Sequence, residues 1–108
     1  MHIAKHAEDD LRAIYEYIAF EKLEPGVAKN LIQRIKNRIS KLNNSPQSFA
    51  PYQKEPWKSR GLRRVNSGKY AIFYIPTGDD KIVTVVRILY GGRDIDNILV
   101  EMLDDESD

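Results

Sequence analysis

The stretch Gly68-Lys69-Tyr70-Ala71-Ile72-Phe73-Tyr74-Ile75, with its continuation from Lys81 to Tyr90, decides the architecture of this chain. Tyr70, Ile72 and Tyr74 alternate with Ala71, Phe73 and Ile75, so an extended strand here presents apolar side chains on both faces. In the next run Val83, Val85, Arg87 and Leu89 are expected on one face, with Ile82, Thr84, Val86, Ile88 and Tyr90 on the other. A shorter β-like run, Leu62 to Asn66, precedes both. Asn66-Ser67-Gly68 and Pro76-Thr77-Gly78-Asp79-Asp80 separate the runs with turn-forming residues, which predicts an antiparallel meander. A sheet that is apolar on both sides needs two covers: helices on one face, and a loop or a partner on the other.

The N-terminal side supplies the helices. From Ala7 to about Phe20, Leu11, Ile14, Tyr15 and Ile18 fall at i, i+3, i+4 and i+7, and Glu8, Asp9 and Asp10 put negative charge in the first turn, where the helix dipole favours it. After a break at Glu21 to Glu24, Pro25 suits a first helical position, and Ala28, Leu31, Ile32, Ile35, Ile39 and Leu42 follow along one face until about Asn43-Asn44-Ser45-Pro46. So short a connection predicts an antiparallel helical hairpin. His2-Ile3-Ala4 has room for a brief strand at a sheet edge.

Residues 45–61, with Pro46, Pro51, Pro56 and Gly61, read as an irregular connection that packs Phe49, Tyr52 and Trp57 against the body. Gly91-Gly92 ends the last strand, and Asp94 stands where it would cap a short helix carrying Ile95, Ile98, Leu99 and Met102. The expected fold is therefore α+β. A two-helix hairpin packs on a small, mainly antiparallel sheet of three to four strands in the order β-α-α-β-β-β, followed by a short C-terminal helix. Residues 1–103 are expected to form one domain and 104–108 an acidic disordered tail.

Composition narrows the function. At 108 residues and 42% hydrophobic, the chain is sized for one core, which excludes a multidomain enzyme. Its apolar runs fall far short of the roughly 20 residues of a membrane helix, and nothing reads as a signal peptide. A soluble, cytoplasmic protein without a membrane partner is expected. No cysteine is present, His2 and His6 offer no zinc set, and no Walker loop, dinucleotide fingerprint or His-Glu-x-x-His occurs. No metal, cofactor or small-molecule ligand is expected.

The net charge of +1 hides an uneven distribution: residues 49–93 carry 9 Lys/Arg against 3 Asp/Glu, and residues 94–108 carry 0 against 7. Within the basic part, Lys54, Lys58, Arg60, Arg63, Arg64 and Lys69 interleave with Tyr52, Trp57 and Tyr70. Cations with ring faces suit single-stranded nucleic acid or an acidic partner, although Arg63 and Arg64 alternating across a strand also suit pairing within the fold. Arg87 stands among Val83, Val85 and Leu89 and needs either an ion-pair partner, the preferred reading, or a ligand. Arg93 follows the last strand, where it is placed either for chemistry or for pairing with Asp94 or Asp96.

Gly61-Leu62-Arg63-Arg64, Gly68-Lys69-Tyr70-Ala71-Ile72-Phe73-Tyr74 and Val86-Arg87-Ile88-Leu89-Tyr90-Gly91-Gly92-Arg93-Asp94 together resemble the RelE/ParE toxins of bacterial type II toxin-antitoxin modules, which include plasmid stabilisation proteins. Ala7-Glu8-Asp9-Asp10-Leu11 and Ile14-Tyr15-Glu16-Tyr17-Ile18 resemble that family's opening. The resemblance implies a growth-inhibiting toxin neutralised by a cognate antitoxin. Its target is either DNA gyrase, as in ParE-type members, or mRNA on the ribosome, as in RelE-type endoribonucleases. Arg64 or Arg63 falls near a basic position of the nuclease strand and Arg93 matches the arginine after the last strand, so the resemblance gives Arg64, Tyr90 and Arg93 as catalytic residues if the chain is a nuclease. Ala71 and Tyr90 replace the arginine and histidine often found there, and no tyrosine follows Arg93. The gyrase-directed reading is therefore preferred, with Ile95, Ile98, Leu99 and Met102 of the terminal helix as target contacts. Lys54, Lys58, Arg60, Arg63, Arg64, Lys69 and Arg87 are the expected nucleic-acid or target-binding cations.

Overall fold

The computed structural model describes residues 2–42, 49–77 and 82–106. The expected α+β order is observed: β1 (His2–Ile3), α1 (Lys5–Glu16), α2 (Pro25–Lys41), β2 (Arg63–Ser67), β3 (Tyr70–Thr77), β4 (Ile82–Tyr90) and α3 (Ile95–Glu106). The end of the second helix at Asn43 to Pro46, and the turn residues Gly78 to Asp80, lie outside the described residues. So do Ser107 and Asp108, while α3 itself reaches Glu106, three residues into the stretch read as tail.

Helix α1 begins two residues before the expected start and buries Ala7 and Leu11. At Tyr17–Glu21 it widens into one π-helical turn, in which the Lys22 N–H donates to the Tyr17 carbonyl five residues back at 3.1 Å. Leu23 then takes a left-handed φ of 56° and reverses the chain. Pro25 opens α2 as expected, and Arg38 and Lys41 lie in its last turn, where cations offset the helix dipole.

The sheet is mixed, in the order β1-β4-β3-β2. Strands β2, β3 and β4 form the predicted antiparallel meander, and β1 joins the far edge parallel to β4 through His2 opposite Thr84 and Ile3 opposite Val85. Both faces are covered. Under α1 and α2 lie Val65, Ile72, Tyr74, Val83, Val85 and Ile88, packed with Leu11, Ile35 and Ile39. On the opposite face Ala71, Phe73, Val86 and Leu89 are closed over by Trp57 and Leu62 of the irregular connection and by Leu99 and Met102 of α3. The second cover is thus supplied by the chain itself.

One expectation about β4 is corrected. Strict alternation would put Val83, Val85, Arg87 and Leu89 on one face, but Val83 and Val85 belong to the helix-side core and Leu89 to the other. The cause is a β-bulge: Phe73 pairs with Arg87 and the next residue, Tyr74, pairs with Val85, so Val86 is the extra residue of β4. A single inserted residue exchanges the faces of everything beyond it.

Asp10 of α1 answers the question posed by Arg87. Its guanidinium donates from Nε and Nη2 to the two carboxylate oxygens of Asp10 on α1, both at 2.8 Å, and the Ile88 N–H donates to the same carboxylate at 2.9 Å. The Arg87 and Asp10 side chains retain 14% and 11% exposure, so the pair is largely desolvated and each charge depends on the other. Arg87 is therefore a structural residue, which corrects its assignment to a binding surface. Asp10→Ala is expected to lower stability by about 3 kcal/mol, since it leaves a nearly buried guanidinium and a strand N–H without their acceptor. The denaturant midpoint would measure this; a loss under about 1 kcal/mol would contradict it.

Candidate functional site

Where β4 runs past the end of β1, a groove of about 570 Å³ opens between the strand and α1. Asp10, Ala13, Ile14 and Tyr17 line it from the helix, spaced so that they share one face. Tyr70, Ile88 and Tyr90 line it from the sheet, and Arg93 closes one end. The Tyr70 and Tyr90 rings meet edge to face at 5.9 Å between centroids, directly opposite each other across β3 and β4. Burial pushes the Tyr70 phenol above its ordinary pKa, helped by its neighbours Tyr90 and Tyr17. Tyr90 itself is 48% exposed. Its ring lies so close to Gly92 that a Cβ there would come within 2.9 Å of it, so the second glycine leaves room for the tyrosine. The Arg93 side chain is exposed and makes no ion pair or hydrogen bond among the described residues, so it pairs with neither Asp94 nor Asp96.

The opposite face carries a second arrangement. Trp57, 3% exposed, donates its indole N–H to the Leu99 carbonyl at 3.0 Å. Asp96, in the first turn of α3, accepts hydrogen bonds from the Tyr52 hydroxyl and the Lys54 ammonium. The Lys54 and Tyr52 donors hold the Asp96 carboxyl below the usual carboxylate range, while burial, with the Asp96 bond adding to it, pushes the Tyr52 phenol up to about 12. These side chains pin α3 to the connection between α2 and β2.

This docking corrects the expectation for the terminal helix. Leu99 and Met102 are 0% and 7% exposed, and Ile95 and Ile98 pack against the same cluster. Leu99 and Met102 are core residues because the sheet's second apolar face needs a cover, and α3 provides it, while Ile95 and Ile98 are half-buried at its margin. Among the described side chains of α3, Asn97, Val100 and Glu101 are the most exposed.

The basic cluster is also partly consumed by the fold. Lys54 is paired with Asp96, and Arg63 donates to the Phe49 carbonyl. The Arg60 guanidinium lies 5.1 Å from the Trp57 ring centroid. Arg64 donates to the Asn66 side chain at 3.1 Å and lies 5.6 Å from the Phe73 ring centroid, alongside Gly91. Lys58 and Lys69 are exposed. Arg64 pairs across the sheet with Phe73, on the face covered by α3, whereas Tyr90 pairs with Tyr70 on the helix side. Arg64 and Tyr90 thus start from opposite faces of the sheet, with the Arg64 guanidinium reaching Gly91.

A family model described as the ParE toxin of the type II toxin-antitoxin system, parDE, matches residues 2–95. The chain belongs to the ParE toxin family. The matched stretch contains the whole groove from Asp10 to Arg93 and stops at the first residue of α3. Among solved structures, the chromosomal ParDE TA system from P. aeruginosa shares the fold, with a TM-score of 0.63 at 23% identity, covering 83% of this chain and 95% of that one. No curated protein matches the chain in sequence.

Membership of a ParE family implies an antitoxin partner. No helix among the described residues is long and apolar enough to cross a membrane. Reading the sequence of this ParE member brought Tyr90 and Arg93 into view but missed Asp10, Ile14, Tyr17 and Tyr70 as members of one site. The signal was the i, i+4, i+7 spacing of Asp10, Ile14 and Tyr17, a second stripe beside the one that packs the core.

Two outcomes follow for α3. Leu99→Ala is expected to cost about 3 kcal/mol, because it leaves a cavity under Trp57 and Phe73. The Asp96 carboxyl is held low, so its contribution to stability is complete above the ordinary carboxylate pKa and fades as the pH falls through the depressed value. Asp96→Asn should therefore flatten the acid limb of the stability profile; an unchanged acid limb would show that the Tyr52 and Lys54 contacts hold nothing.

Proposed function

We propose that this chain is a growth-arresting toxin that acts on DNA gyrase and is neutralised by an antitoxin. The observation that carries this over RNA cleavage is the incomplete nuclease set, in which Tyr90 stands where a histidine is often found and no second cation accompanies Arg64 and Arg93. In-line attack on a ribose phosphate requires its acid, base and phosphate-holding cation around one centre, within hydrogen-bond reach of it. Arg64 shares a sheet face with Phe73 under α3, while Tyr90 and Arg93 border the groove on the helix side. Ala71, where a second cation would assist, is wholly buried. Membership of the ParE family and the gyrase-directed activity its resemblance implies point the same way.

The surface that meets the target then includes the outer side of α3. Asn97, Val100 and Glu101 are exposed there, and Val100 is an apolar residue 55% open to solvent. Pulse labelling after induction without antitoxin should show DNA synthesis failing before protein synthesis; translation stopping first would overturn the gyrase reading. Purified protein should inhibit supercoiling by gyrase. Val100→Asp should weaken that inhibition at least tenfold with the thermal midpoint unchanged, and undiminished inhibition would remove α3 from the target surface.

A further inference from the structure

Helix α2 carries five cations, Lys29, Arg34, Lys36, Arg38 and Lys41, and no Asp or Glu anywhere along Pro25–Lys41. None of the five forms an ion pair among the described residues. Arg34, Arg38 and Lys41 stand at i, i+4 and i+7, so they share one flank of the helix beside the buried stripe of Ala28, Ile35 and Ile39. Arg34 and Lys41 are exposed, and Arg38 is half-buried.

Strand β2 extends this flank. Arg63 is opposite Tyr74 in the sheet, on the face covered by the helices, and its guanidinium donates to the Phe49 carbonyl. The Arg38 guanidinium lies 5.1 Å from the ring centroid of the same phenylalanine. Phe49 thus gathers two arginines from separate elements. Burial pushes the Tyr74 phenol above its ordinary pKa, and both guanidiniums act against that rise. A carbonyl and a ring face orient these two arginines but cancel neither charge. Like charges gathered without a counter-charge raise the energy of the folded chain, so an anion supplied from outside is stabilised here.

Form and spacing select the anion. From Arg34 to Lys41 the helix rises about 10 Å, and one strand of a duplex presents a phosphate every ~3.4 Å along its axis, so these side chains span about three phosphates. Asn30, Gln33 and Asn37 expose uncharged amides beside them, which suit phosphate oxygens. Phe49 lies under Arg38, so its ring is not open for stacking an unpaired base.

The geometry points to a phosphate-backbone site on α2, formed by Arg34, Arg38 and Lys41 with Arg63, that lies along duplex DNA without reading its sequence. The choice of DNA rests on the gyrase reading proposed above, since that target works on a duplex, and the site gives the toxin a second hold on the complex of enzyme and DNA.

Fluorescence anisotropy of the full chain with a labelled duplex of about 20 base pairs tests the site. Four neutralised phosphates predict that log K falls with log salt at a slope of about −3.6, the same for unrelated sequences. Arg34→Glu with Lys41→Glu should weaken binding at least tenfold at an unchanged thermal midpoint, and Arg34→Gln alone should flatten the slope by about 0.9. Failure to bind the duplex, a flat salt dependence, or tighter binding to the unpaired strand would overturn the site. So would a loss produced by Lys58→Glu, on the connection, with the α2 variants undiminished. A double reversal that releases the antitoxin but not the duplex would likewise overturn it, making the flank a contact for an acidic protein. Supercoiling inhibition by a chain that binds no duplex would remove the DNA site and leave the gyrase reading standing; duplex binding without inhibition would do the reverse.

Discussion

The carboxylate of Asp10 joins the two layers of this protein at one point. It accepts both arms of the Arg87 guanidinium and the N–H of Ile88, so a single side chain on α1 neutralises the charge in β4 and seals one backbone donor at its edge. The bulge at Val86 immediately precedes Arg87 in β4. From the same contact follow the seating of α1 over the sheet and the opening of the groove beyond β1. Three charge-assisted hydrogen bonds in a largely desolvated pocket hold the two elements in one arrangement.

The sheet is closed on both faces by different means. On one side the two N-terminal helices supply a continuous aliphatic cover. On the other, Trp57 and Leu62 from an irregular connection share the work with Leu99 and Met102 from α3, and polar contacts from Tyr52, Lys54 and Trp57 fix the helix in place. The division has a functional consequence. Apolar residues of α3 that look suited to gripping a target are held in the core, and only the helix's outer side is left for a partner. Likewise, several cations that resemble a nucleic-acid surface in sequence are engaged by Asp96, by the Phe49 carbonyl or by ring faces. Arg93 at the groove remains a cation without a side-chain partner among the described residues.

Sequence by itself determined the element order, the two helical stripes, the antiparallel meander and the two-sided apolar character of its strands. Each of these is a local periodicity of 2 or 3.6 residues, or a turn residue such as Pro25 or Gly68, and local periodicity survives in a one-dimensional reading. It also posed the right question about Arg87, since a cation among valines requires a partner. Tertiary structure decided the answers. The bulge at Val86 leaves no mark in composition, because an extra apolar residue in an apolar strand looks like any other, yet it puts Leu89 on the face opposite Val83 and Val85. The groove joins residues from Asp10 to Arg93, more than eighty positions apart, and its position depends on where β1 ends and how β3 registers on β4. Whether Leu99 faces a partner or the core turns on which apolar surface is nearest to cover it. That is a property of the assembled sheet rather than of the helix, whose stripe reads the same in either case.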